Sequence, residues 1–283
     1  MSKEYHRLGA HAMATEFQIL IAGTSETKAQ TCAAEALRDL ELLEADLSRF
    51  RDGSDISRLN HLTPGKSTPI GEAAYDCISL AKEVHSATRG AFDITIGPLL
   101  AVWTNPDHTP RQPSESELNR ARSAVGIDKV LLNPESREAS VTGKDIWLDV
   151  GGIGKGYALD QMASILKAKG IDNALLDAGG STLLAFGKGP AGDGWPVGTG
   201  EAGIPAIYLQ DQSLSGSGFS ERGEHIIDPR EGVRVSAGKK NAWALAPFAA
   251  LADALSTAFL VMNTKEITTF CGQHRDIEAI LPA

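Results

Sequence analysis

The stretch Leu148-Asp149-Val150-Gly151-Gly152-Ile153-Gly154-Lys155-Gly156-Tyr157-Ala158-Leu159-Asp160 constrains this chain more than any other. The apolar run Ile146 to Val150 predicts a buried strand, a glycine-dense corner follows, and Tyr157 to Lys169 predicts an amphipathic helix stopping at Gly170. A strand, a glycine turn and a helix start let main-chain N–H groups approach a phosphate. The two familiar phosphate fingerprints are absent. A Walker A loop would need glycine at Asp149 and Ser or Thr at Gly156, and Gly152, Gly154 and Gly156 fall two apart rather than as G-x-G-x-x-G. Taken alone, the corner fits an anion site and a plain tight turn equally well.

Around it the chain reads as alternating short elements. Thr15 to Ile21 has the period of a half-buried strand, and Ala29, Ala33, Ala36, Leu40, Leu43 and Leu47 predict one helix from about Ser25 to Leu47. Ser48 to Asp55 reads as a loop, and Ala74 to Thr88 as a helix ending at Gly90. Prolines make Thr104 to Pro113 a surface excursion, while Ser114 and Glu117 form a capping box for a helix stopping at Gly126. Strands are predicted at Val130–Leu132, Ala139–Thr142, Ile146–Val150, Ala174–Leu176 and Ala242–Ala246. The helix from Tyr157 would link two of them as a crossover unit. Pro247 opens a strongly apolar helix, Phe248 to Met262. No repeat, low-complexity tract or linker divides the chain, so residues 1–283 are expected to form one domain.

With 283 residues, 42% hydrophobic and 22% charged, the chain can bury a full core. A net charge of −9 excludes non-specific nucleic-acid binding, which needs a basic surface. Cys32, Cys77 and Cys271 form no C-x-x-C and read as reduced core thiols. No apolar run reaches the ~18 residues of a membrane span, and nothing resembles a signal peptide, so the expectation is a cytoplasmic protein without a membrane anchor.

Several residues could carry chemistry. Asp253 and Thr257 lie four apart on the apolar helix, so their oxygens share one face. Either they hold a hard cation such as Mg²⁺, or Asp253 caps a neighbouring turn and Thr257 bonds back within its helix. His225, entering Ile226-Ile227-Asp228-Pro229, is a general base or a structural histidine. Asp93 and Asp149 could each be Asx-turn carboxylates. Lys155, among glycines at a helix start, reads as part of an anion site or as a solvated lysine.

In order along the chain, these segments carry a resemblance. The segments are Met13-Ala14-Thr15, Ser48-Arg49-Phe50-Arg51 with Ser54 and Asn60, Gly90-Ala91-Phe92-Asp93, and Leu148-Asp149 with Lys155-Gly156-Tyr157 and Asp160. Gly179-Gly180, His225-Ile226-Ile227-Asp228-Pro229 and Ala252-Asp253-Ala254-Leu255-Ser256-Thr257 complete the series. Together they resemble the successive motifs of the ApbE-type FAD:protein FMN transferases, over nearly the whole length. The resemblance implies an α+β fold of mixed sheets flanked by helices, two packed lobes with flavin between them. It implies Mg²⁺-dependent cleavage of FAD, attachment of FMN to Ser or Thr of an acceptor protein, and release of AMP. Asp253 and Thr257 would ligate Mg²⁺ by side chains, Gly152 and Ser256 by main-chain carbonyls. Met13, Phe50, Ala91, Phe92, Asp93, Asp149 and Lys155 would line the FAD site, with His225 at the catalytic position. Ala14 stands where the family usually has glycine, Phe50 where tyrosine is common, Ser181 where an acidic residue often follows the glycine pair, and Ser215 to Ser220 departs from the usual pattern. A flavin-binding protein without transferase activity and an FAD pyrophosphatase are the alternatives.

Overall fold

The alternating strand at Thr15 sits inside a sheet whose two faces bury different cores. The computed structural model describes residues 5–105, 107, 109–218, 226–235 and 241–282. The N-terminal part holds β1 (Tyr5–Ala12), β2 (Thr15–Ala22), α1 (Glu26–Leu47), α2 (Asp55–Asn60), β3 (Ser67–Pro69) and α3 (Glu72–Ala87). Next come α4 (Gly97–Trp103), α5 (Glu115–Ala124), β4 (Val130–Asn133), β5 (Glu138–Val141) and α6 (Gly154–Ala168). Short strands follow: β6 (Ala174–Ala178), β7 (Thr182–Phe186), β8 (Trp195–Val197), β9 (Ile207–Leu209), β10 (Gln212–Gly218), β11 (Ile227–Asp228) and β12 (Val233–Arg234). The chain closes with β13 (Asn241–Ala246), α7 (Ala249–Val261), α8 (Thr264–Gln273) and β14 (Glu278–Ile280).

The principal sheet runs β1-β2-β6-β7-β10-β13-β14, and its described ladders are antiparallel. Side-chain alternation sends Phe17, Ile19, Ile21, Leu176 and Phe186 towards α1, α6 and α7, and Leu175, Leu214 and Trp243 to the other face under the β8–β9 ribbon. A smaller sheet, β3-β5-β4, packs with α2 and α3 into the same continuous core through Ile56, Ile70, Val130 and Val141. The α+β architecture expected from sequence is therefore present. The capping box at Ser114 and Glu117 forms both of its bonds. Cys32, Cys77 and Cys271 are free thiols, the first two buried and the third half-buried. Among the described residues no helix is long and apolar enough to cross a membrane.

One local expectation fails for a physical reason. Ile146 to Val150 is buried but is not a strand, so no crossover unit forms there. Its backbone groups find a side chain and a loop instead of a ladder. Leu148 donates to Asn60 Oδ1 at 2.7 Å and accepts from Asn60 Nδ2 at 3.0 Å, while Asp149 donates to the Ile94 carbonyl at 2.7 Å. The polar segment after Ser48 is the expected loop, and a helix starts at its end, at Asp55. Ser54 caps it, accepting from the Ser57 N–H at 2.9 Å, and Asn60 at its end makes the bonds to Leu148.

The β1–β2 turn shows what Ala14 costs where the resembled motif has glycine. Ala12 pairs with Thr15, so Met13 and Ala14 form a two-residue hairpin loop with φ of 49° and 60°. Such loops need left-handed backbone at both central residues, a conformation glycine adopts freely and alanine only with strain of roughly 1–2 kcal/mol.

Candidate active site

Two helices meet at the start of α6 because Gly156 has no side chain. A Cβ there would lie 2.2 Å from the Ala249 carbonyl oxygen, so the first turns of α6 and α7 touch backbone to backbone. That approach lets each helix cap the other. Asp160, on α6, accepts from the Ala249 and Ala250 N–H groups at 2.8 Å each. Asp253, on α7, accepts from the Gly156 N–H through Oδ2 at 3.1 Å. Neither helix has a side-chain bond at its own N-cap residue, so these carboxylates satisfy donors that would otherwise be orphaned.

Asp160 carries a pH signature. Burial pushes its carboxyl up to about 6, against the pull of its two N–H bonds. Folding therefore favours the protonated form. The group's contribution to stability is full below its unfolded value, roughly 4, and is lost as pH rises through the folded one. Asp160→Asn is neutral throughout, so the melting temperature of the unaltered protein should fall relative to this variant between pH 4 and pH 6.5. A pH-independent difference would mean that Asp160 titrates as an ordinary carboxylate.

Asp253 is only 3% exposed, and its second oxygen is poorly compensated. Oδ1 lies 3.7 Å from Lys155 Nζ, a loose ion pair outside hydrogen-bonding reach. The capping alternative for Asp253 is thus realised with one oxygen, while the other lies on the side of Lys155. Thr257, one turn along, does not bond back to its own helix; its hydroxyl is 3.2 Å from Ser217 Oγ. A Cβ on Gly152 would lie 3.3 Å from Thr257 Oγ1 and 3.3 Å from the Phe92 ring, so a side chain there would crowd this cradle. The fold thereby brings together Gly152, Lys155, Phe92, Asp253 and Thr257, residues drawn from three separate motifs. Ser256 is fully buried and joins the group through its hydroxyl, 2.8 Å from Ser217. Its carbonyl belongs to the helical run of α7. Among the described residues there is no cluster of three or more His, Cys, Asp or Glu. A cation held here would have one carboxylate, a hydroxyl and carbonyl oxygens, leaving positions for phosphate oxygens, a donor set that suits Mg²⁺.

A second group flanks the corner. Asp149 pairs with Arg49 Nε at 3.1 Å and accepts from the Gly151 N–H at 2.8 Å. The Arg49 guanidinium sits 4.1 Å above the Phe50 ring and 5.2 Å from that of Trp147. Phe50 is 78% exposed, so most of its surface is open to a ligand. Beside Arg49 and Trp147 opens a cavity of about 640 Å³, walled by Pro98, Val102 and Ala121.

The remaining expected residues have other surroundings. Asp93 is buried, and its carboxylate accepts from the Thr95 N–H and hydroxyl and from the Ile127 N–H, with His85 Nδ1 at 3.3 Å. Burial pushes its pKa up, but the bonds from His85 and Thr95 more than offset this and hold it below the ordinary carboxylate range. Its visible work is to fix the loop that presents Ala91 and Phe92. Met13 donates its N–H to Glu44 at 2.8 Å, and among the described residues no hydrogen bond joins it to the Asp253 group. His225 lies outside the described residues. The end of its motif is held: Asp228 grips Arg230 at 2.8 Å, Arg230 reaches Glu266 at 2.9 Å, and its Cγ lies 3.4 Å from where a Gly90 Cβ would be.

Sequence reading did not single out Arg49 or Ser217 as site residues. Arg49 stood within a quoted motif, whereas Ser217 lies in the segment that departs from the family pattern, so neither spacing nor resemblance marked it.

Comparison with known proteins places the chain in one family. The model of the ApbE family matches residues 13–281. An FAD:protein FMN transferase of Haemophilus influenzae is 31% identical over 245 residues, covering 79% of this chain and 70% of that protein. One from Klebsiella pneumoniae is 27% identical over 277 residues, covering 92% and 79%. The crystal structure of the ApbE protein from Thermotoga maritima superposes with a TM-score of 0.87 at 27% identity, covering 98% of this chain and 94% of that one. The chain belongs to the ApbE family.

Proposed function

We propose that this chain is an FAD:protein FMN transferase whose reaction depends on Mg²⁺ and releases AMP. The observation that carries the reading is the buried Asp253 carboxylate. Among the described residues one of its oxygens has no hydrogen-bond donor, only Lys155 Nζ at 3.7 Å beside the corner shared with Gly152 and Thr257, in a family whose named relatives carry this activity. The acceptor is a protein presenting a Ser or Thr hydroxyl. Its oxygen bonds to the phosphorus of the FMN half as the bridging P–O bond of FAD breaks. The hydroxyl proton passes to a base, and AMP leaves with the electron pair.

Each residue has a part in that scheme. Asp253 and Thr257 would hold the metal by side chains, with the carbonyl oxygens of Gly152 and Ser256 as further donors. When bound, the metal neutralises the pyrophosphate and the charge that develops during transfer. Lys155 places a fixed cation beside the same anion. Met13, Phe50, Ala91 and Phe92 offer packing surfaces for the ring systems of FAD, and the ion pair between Asp149 and Arg49 fixes the wall next to Phe50. Asp93 supports that surface from behind. His225 would take the proton from the acceptor hydroxyl.

The test uses purified protein with FAD and cell extract, in Mg²⁺ or in EDTA, read by chromatography for AMP and by flavin fluorescence in denaturing gels. Transfer predicts AMP and a fluorescent protein band in Mg²⁺ and neither in EDTA. AMP with free FMN and no band would make the protein a pyrophosphatase; FAD bound but intact would make it a flavin-binding protein.

A further inference from the structure

We infer that Ser217 is a positioning residue, its hydroxyl turning the lone pairs of Thr257 Oγ1 towards the Gly152 corner. The inference rests on the metal reading above and adds a residue to it. A serine or threonine hydroxyl carries a single proton, so a chain of such groups has a direction. Ser256 directs its proton to the Asp253 carbonyl at 2.9 Å, nearer than its other acceptor, Ser215 Oγ at 3.4 Å. With that proton committed, Ser256 can only accept in its 2.8 Å contact with Ser217, which makes Ser217 the donor. Ser217 then has no proton left for Thr257, so the 3.2 Å contact between them uses the proton of Thr257. The Thr257 oxygen consequently shows only lone pairs to the cradle that a Gly152 Cβ would fill.

The chain is anchored from below. Ser215 and Ser217 lie two apart on β10 and share the face turned to α7. Ser215 donates to the Ser181 carbonyl at 3.1 Å and lies 2.9 Å from Thr182 Oγ1, and both Ser215 and Thr182 are fully buried. Without Ser217, the Thr257 proton loses its fixed acceptor; the carbonyl one turn back, the usual partner of a mid-helix threonine, already accepts from Ser256, so the hydroxyl is free to turn its proton into the corner.

Ser217→Ala removes the directing group and leaves both α7 hydroxyls in place. Calorimetric titration of Mg²⁺ into FAD-saturated protein should show affinity weakened about 3- to 10-fold, the range expected from losing one orienting hydrogen bond. Ser217→Thr should restore it. The Mg²⁺ concentration for half-maximal AMP release should rise by the same factor, with the rate at saturating Mg²⁺ and the FAD affinity in EDTA little changed. Should the alanine variant fail to fold, Ser217→Cys, a weaker donor of similar shape, carries the same expectation. If the unaltered protein takes up Mg²⁺ and the variant takes it up equally well, the inference is overturned while the metal reading stands. A lowered melting temperature with unmoved Mg²⁺ affinity would likewise overturn it, by reducing Ser217 to a packing role. If the unaltered protein takes up no Mg²⁺, the metal reading fails and this inference falls with it.

Discussion

Asp253→Ala is expected to abolish FAD cleavage and flavin transfer together, by about 10³-fold or more, which corresponds to roughly 4 kcal/mol of transition-state stabilisation. FAD binding should survive in part, because the ring-packing surfaces at Phe50 and Phe92 do not depend on this carboxylate. The alanine variant alone would be ambiguous, since Asp253 also accepts from the Gly156 N–H at 3.1 Å. Leaving that buried donor unpaired costs about 1–3 kcal/mol of stability by itself. Asp253→Asn separates the two effects: its amide oxygen can keep the bond to Gly156 and restore most of the melting temperature, while the anionic ligand is lost. Rates for both variants, over a Mg²⁺ titration and beside thermal melts, decide the matter. If Asp253→Asn turns over at a near-normal rate with Mg²⁺, the carboxylate serves only as a cap and the metal lies elsewhere.

The double duty of Asp253 shows what the sequence could and could not reveal. Its burial was legible from the apolar residues around it on α7, and so was its common face with Thr257, because helix periodicity alone places residues four apart. Its partner was not legible. The Gly156 N–H is a bond across 97 positions of chain, and nothing local to either residue announces it. The same limit explains Ile146 to Val150. Apolar composition predicted burial, and the segment is buried, but the hydrogen bonds that would have made it a strand come from the Asn60 side chain 88 residues away and from the Ile94 carbonyl. Local elements with their own signals were read well: the capping box at Ser114, and the long helix α1, whose N-cap Ser25 accepts from Lys28. Ser217 had neither a local signal nor a family motif, and only the packing of β10 against α7 brings it to Thr257.

Gly156→Ala should be the most destabilising single-methyl change in this region, against the ordinary rule. In an exposed helix interior, replacing glycine by alanine gains about 0.5–1 kcal/mol, because alanine loses less backbone entropy on folding. Here the added Cβ would meet the Ala249 carbonyl oxygen at 2.2 Å, the Ala249 carbonyl carbon at 2.4 Å and the Ala250 nitrogen at 2.6 Å. All three are backbone atoms of a helix start and cannot swing aside as a side-chain end would. Relief requires α7 to withdraw from α6, which strains the bonds from Ala249 and Ala250 to Asp160 and from Gly156 to Asp253 at once. Overpacking of a tight interior costs about 1–3 kcal/mol and occasionally more; with three charge-assisted bonds at stake, one buried and two part-buried, the expected loss is about 4 kcal/mol or above. Gly154→Ala supplies the control on the same helix. A Cβ at Gly154 would find only Val150 Cγ2, at 3.7 Å, so that substitution should be neutral or mildly stabilising. Chemical denaturation of the two variants side by side checks both signs. Equal stabilities would mean that the two helices do not meet at Gly156, and the mutual capping that orients Asp253 would have to be given up with that contact.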